Sequence, residues 1–76
     1  MNHQRRELLK TALGYIDEAL TIVITAKEQE QSCLDRMPDA LMDSEQYEKL
    51  ECSAEQLEEA ENGLEEVKQA IAEAIA

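Results

Sequence analysis

"RMPDALMDSEQYEKLE", residues 36–51, holds the only proline of the chain and the sharpest break in its patterning. Pro38 disfavours helical geometry at Met37, so a helix entering this stretch ends near Arg36. Further on, Asp43 or Ser44 can accept hydrogen bonds from the free N–H groups that begin a second helix, with Glu45 near its positive end. A connection of this length, residues 37–43, suits antiparallel neighbours in a helical hairpin. The stretch therefore predicts a chain reversal between two helices.

Upstream of the reversal, apolar residues recur at alternating steps of four and three. With Leu13 as heptad position a, Leu13, Leu20 and Leu34 fall at a, and Leu9, Ile16, Val23 and Met37 at d. This predicts one helix over about residues 3–36, roughly 50 Å long at ~1.5 Å per residue. Lys27 and Glu30 interrupt the seam. A second stripe lies beside the first, with Leu8, Tyr15 and Ile22 at c and Ala12, Ala19, Ala26 and Cys33 at g. The β-branched run in "ALTIVITA", residues 19–26, favours a strand in isolation. The heptad phase passes through it unbroken, which predicts buried helix.

Downstream, Leu50, Leu57, Leu64 and Ile71 recur every seven residues, predicting a second helix over about residues 44–75. "ENG" at 61–63 is a turn signal. Leu57, Leu64 and Ile71 stay in phase across it, so the expectation is a weak point inside one helix. In the resulting register Leu34 lies near Leu50 and Leu13 near Ile71. The fold class is all-α, a single domain of two long antiparallel helices.

A chain of 76 residues buries only about 60% of its unfolded surface, which is marginal without help. The second stripe on helix one needs cover, and a homodimeric four-helix bundle is the simplest way to supply it. Leu8, Tyr15 and Ile22 are the expected dimer contacts.

Charge divides the chain as sharply as Pro38 does. The net charge is −11. Residues 1–36 carry five basic and six acidic side chains, and residues 37–76 carry two and twelve. Direct binding to nucleic acid or to an anionic membrane is disfavoured, because phosphate contact needs Lys and Arg. A protein with a basic surface is the electrostatic complement. In the second helix Glu48 and Glu55 fall at b, Glu51, Glu58 and Glu65 at e, and Glu59, Glu66 and Glu73 at f. These eight form one solvent face and are the candidate partner-binding residues. A face of this kind also serves solubility alone.

The turn resembles that of small acidic proteins from bacteriophages and mobile elements of gut Firmicutes, in a segment of the form M-P-x-x-L-x-x-S-x-x-Y-E. The matching residues are Met37, Pro38, Leu41, Ser44, Tyr47 and Glu48. The resemblance implies a helical hairpin of phage or mobile-element origin and implies no activity.

Other chemistries have little to stand on. There is no nucleophile–base pair and no phosphate-cradling Gly loop, and His3 is the single histidine. A helical hairpin exposes its carboxylates, whereas acid–base catalysis needs a desolvated site. The expectation is a non-enzyme without cofactor or metal, since zinc needs about four ligands and His3 is remote from Cys33 and Cys52. Those cysteines fall close together in the hairpin register, but two free thiols, with Cys33 partly buried, are expected in a reducing compartment. "MNHQRRELLK" is not followed by the apolar stretch of a signal peptide, so the expected location is the cytoplasm of a host cell. Arg5, Arg6 and Lys10 form a basic cluster expected to neighbour the acidic end of helix two.

Two functional expectations follow. The first is an anti-CRISPR-like or anti-restriction-like inhibitor, its acidic face a partial nucleic-acid mimic. The alternative is a structural or scaffold module whose acidity serves only solubility.

Overall fold

Two long helices and one reversal make up the whole molecule. The computed structural model describes all 76 residues: α1 (His3–Asp35), a 3₁₀ turn (Asp39–Leu41) and α2 (Glu45–Ile75). The predicted boundaries agree with these to within one residue. The helices run antiparallel as a rod whose Cα extents are 59 × 15 × 14 Å.

Local chemistry sets each helix end. Asn2 caps α1, its side-chain oxygen accepting from the Arg5 N–H at 2.8 Å. Of the two residues proposed to cap α2, Ser44 does so. Its Oγ accepts from the Tyr47 N–H at 3.2 Å and donates to the Leu41 carbonyl at 2.6 Å. One hydroxyl thus ties the helix start to the turn before it. Pro38 is extended (φ −61°, ψ 145°), and its carbonyl accepts from the Leu41 N–H at 2.9 Å. The 3₁₀ turn was not foreseen. It satisfies backbone groups that an open loop would leave to water.

The β-branched segment is helical throughout, but it is not the buried helix expected: only Leu20 is buried, and Thr21, Ile22 and Thr25 are exposed because one partner helix covers a single stripe. The Thr21 and Thr25 hydroxyls donate to the carbonyls of Asp17 and Thr21, one turn back. That bond is available only in a helix, where it satisfies the hydroxyl locally. α2 also continues through Asn62 and Gly63 without a break, and Gly63 has no positive φ.

Two ion pairs fix the register between helices: Lys27 with Glu61 at 2.6 Å and Asp17 with Lys68 at 2.7 Å. Asp17 with Lys68 lies one residue from the alignment expected from Leu34 with Leu50 and Leu13 with Ile71, and Lys27 reaches diagonally to Glu61, about one helical turn further along α2. The basic cluster at the open end makes no ion pair across the hairpin. Lys10 pairs with Glu7 on its own helix, and no ion pair joins Arg5 or Arg6 to α2. The inter-helix bridges come instead from Lys27 and Lys68, whose positions lie on the seam.

The core is thin. Only Leu20 and Ala54 are buried, because two cylinders in contact cover one stripe each and enclose nothing. The remaining seam residues, among them Leu13, Ile16, Val23, Leu50, Leu57 and Leu64, are half-buried. Leu8, Tyr15 and Ile22 stay 65–68% exposed. Neither helix is long and apolar enough to cross a membrane.

Candidate functional site: an acidic groove at the turn end

The two flanks of the hairpin differ in chemistry. In an antiparallel pair the e positions of the two helices share one side and the g positions the other. On the e side, near the turn, α1, the reversal and α2 enclose a groove. Leu34, Met37, Tyr47 and the buried Ala54 give it an apolar floor, the exposed Met42 adds apolar surface at the turn, and Glu28, Asp35, Asp39, Glu51, Glu55 and Glu58 surround them. Six carboxylates and one lysine, Lys27, line this groove. On the g side a shallower groove between Ala26, Gln29, Ser53 and Gln56 contains a single carboxylate, Glu30.

Three of the eight predicted face residues, Glu51, Glu55 and Glu58, enter the acidic groove. Glu48, Glu59, Glu65, Glu66 and Glu73 are exposed on α2 but lie outside it. Glu59, Glu66 and Glu73 at f point away from α1, and the Glu73 carboxylate accepts from the Gln69 amide at 3.1 Å. The structure adds Glu28, Asp35 and Asp39, which sequence reasoning missed. Net charge by halves concealed them. The first 36 residues are nearly neutral in total, yet three of their five basic residues, Arg5, Arg6 and Lys10, sit at the open end, while Glu28 and Asp35 sit near the turn with Lys27 and Arg36. Position along a hairpin arm, rather than a sum, carries that signal.

Lys27 lies at one end of the groove and pairs with Glu61 in the seam beyond it. Their side chains are 30% and 18% exposed, the least solvated ion pair of the molecule. Oε1 of Glu61 is closed to solvent. The Lys27 ammonium lies 2.6 Å from it, off the ideal hydrogen-bond line. The Glu61 carboxylate at hydrogen-bond distance holds the Lys27 ammonium above its usual 10.5, partial burial opposes this, and the charges of Glu61, Glu58 and Glu28 add to it. A lysine whose pKa rises on folding stabilises the folded chain below the unfolded value. That contribution disappears as pH climbs through the folded value. The urea midpoint of the wild type should therefore exceed that of Lys27→Met by a constant margin from pH 7 to about pH 9.5. The margin should shrink above 10.5, where deprotonated lysine resembles its neutral replacement. A margin that persisted unchanged at pH 12 would show that packing of the stem, and not charge, is what Lys27 supplies.

Cys33 and Cys52 are both free and exposed. The partial burial expected of Cys33 does not occur, because the g flank on which it sits has no cover. No three His, Cys, Asp or Glu side chains converge closely enough to hold a metal ion, including the carboxylates of the groove. They stand along its rim, which suits several separate cationic groups better than one ion. No family model, curated protein or solved structure matches this chain.

Proposed function

We propose that this protein is a non-enzymatic binding module whose acidic groove and face dock on the nucleic-acid-binding surface of a basic host protein. A CRISPR effector nuclease or a restriction enzyme in the host cytoplasm is the type of target. The observation that carries the reading is the convergence of six carboxylates from three segments around an apolar floor. Solubility alone requires dispersed charge, whereas a rimmed groove offers Lys and Arg side chains both ion pairs and a surface for their apolar stems. The resemblance of the turn to phage and mobile-element proteins supports the same setting. Eleven net negative charges on a 59 Å rod amount to about one per 5 Å, against about one per 1.7 Å of duplex DNA. The rod is thus a sparse mimic that depends on shape as well as charge.

Two variants of equal charge test this. One changes Glu28, Glu51, Glu55 and Glu58 to Gln, and the other changes Glu59, Glu65, Glu66 and Glu73. Gln keeps size and helix propensity nearly constant. In a cleavage assay with a guide-loaded CRISPR nuclease or a restriction enzyme, the groove variant should lose at least tenfold in inhibition. The outer-face variant should lose only the long-range part, a loss that added salt mimics. Equal potency of both variants and the wild type over a range of salt would remove the charge-based mechanism. The exposed stripe of Leu8, Tyr15 and Ile22 favours a second reading, a structural or scaffold module working through apolar contact. On that reading both variants keep their partner and lose mainly solubility.

A further inference from the structure

The g flank and its neighbouring c positions are free of charge along most of the rod. On α1 the residues at c and g from Leu8 to Cys33 are apolar or neutral, and on α2 the same holds from Ser53 to Ala74. Every exposed acid of α2 between those limits lies at b, e or f. Leu8, Tyr15 and Ile22 on α1 and Val67 on α2 stand 49–68% exposed on this flank. We propose that a second copy of the chain covers it, giving an all-antiparallel four-helix bundle with a two-fold axis parallel to the helices.

Three features single out a second copy as the occupant. The first is area. The chain exposes 5720 Å², whereas a compact protein of 8.6 kDa exposes about 4,700 Å². The excess, about 1,000 Å², is what each partner of a standard interface buries, about 800 Å².

The second is fit. A two-fold axis along the rod leaves every residue at its own height, so α1 of one copy meets α2 of the other in the register that Asp17–Lys68 sets within one chain. No further adjustment is available. That register brings Ile22 level with Gly63 of the second copy and Tyr15 with its Ala70, and Ala19 to within one residue of its Val67. Each large side chain meets a small one. Space above Gly63 is open, since a Cβ built there touches nothing within 4 Å, and an isoleucine from the second copy would fill it.

The third is charge. Two chains of net −11 repel, yet this flank, with Glu30 the single carboxylate in its groove, keeps the acidic faces of the two copies apart. It turns both acidic grooves outward on opposite sides of the bundle. The inference goes beyond the proposed binding function and does not depend on it.

Site-specific cross-linking decides between arrangements. In a background with Cys33→Ser and Cys52→Ser, chains carrying Ile22→Cys are mixed with chains carrying Gly63→Cys and oxidised. The mixture should yield a covalent species of twice 8.6 kDa, and neither chain alone should do so efficiently. Efficient linkage of Ile22→Cys chains to one another would overturn the arrangement in favour of α1 packed on α1. Light scattering of the wild type at 100 μM should give the doubled mass, more completely at 0.5 M salt than at 0.05 M because screening relieves repulsion. Salt acts in the opposite sense on docking to a basic protein, so the two ideas fail separately. Tyr15→Glu with Ile22→Glu should halve the mass. A wild-type monomer at 100 μM in high salt would overturn the proposal whatever that variant does.

Discussion

Leu20→Ala should remove roughly half of the stability of the folded chain. Leu20 is the one large side chain that the hairpin buries, at 7% exposed. Truncating a buried leucine costs about 2–5 kcal/mol, while a chain of this length has about 4–11 kcal/mol in total. The rod has no second core layer to compensate, since Ala54, the other buried residue, has no more than a methyl group to contribute. Urea unfolding followed by circular dichroism should place the midpoint of Leu20→Ala far below that of the wild type. Leu41→Ala in the turn, where the leucine is 43% exposed, should cost much less. Equal losses at both sites would mean that the a position at residue 20 is not the centre of the interface.

Lys27→Glu should be the most damaging single charge change, and Glu61→Lys in the same chain should reverse most of the damage. The substituted carboxylate would face Glu61 across the seam, with Glu58 and Glu28 close enough to act on residue 27. Like charges in a partly desolvated layer repel more strongly than on the open surface. Lys68→Glu opposite Asp17 offers the comparison, since that pair is 46% and 54% exposed and water can screen the repulsion. Thermal melting should rank wild type and the exchanged pair near the top, Lys68→Glu below them, and Lys27→Glu lowest. Should the exchanged pair melt no higher than Lys27→Glu alone, the contact would be incidental to the register.

The hairpin was legible because its signals are local or periodic. Pro38, the capping hydroxyl of Ser44 and the seven-residue spacing from Leu50 to Ile71 each act within a few residues of where they are written. Lys27 was harder. Along its own helix it only interrupts an apolar seam, and its meaning depends on Glu61, which a single periodicity cannot place opposite it to within a turn. The acidic groove was half legible for a similar reason. Glu51, Glu55 and Glu58 share one helix face, but Glu28, Asp35 and Asp39 join them only once the chain has doubled back. The exposure of Cys33 depends on what covers the g flank, and one chain does not cover it.

The reversal between two arms of 33 and 31 residues also orders events in time. Every cross-arm contact closes a loop, and the loop lengthens steadily from Tyr47 and Leu34 near the turn to Lys68 with Asp17 near the open end. Each doubling of loop length adds only about 0.6 kcal/mol, so no single step is a barrier once the first is made. Loop entropy thus favours closure from Pro38 outward, in the manner of a zipper. Tyr47, Leu34 and the Ser44 hydroxyl form its starter, and Lys27 with Glu61 is the first tooth that checks alignment. Opening runs the other way. The ends that carry Leu9 and Ile75 fray first and most often, which makes them the preferred entry for proteases, while the helical amides around Leu20 and Ala54, the two buried residues, hold their protons longest.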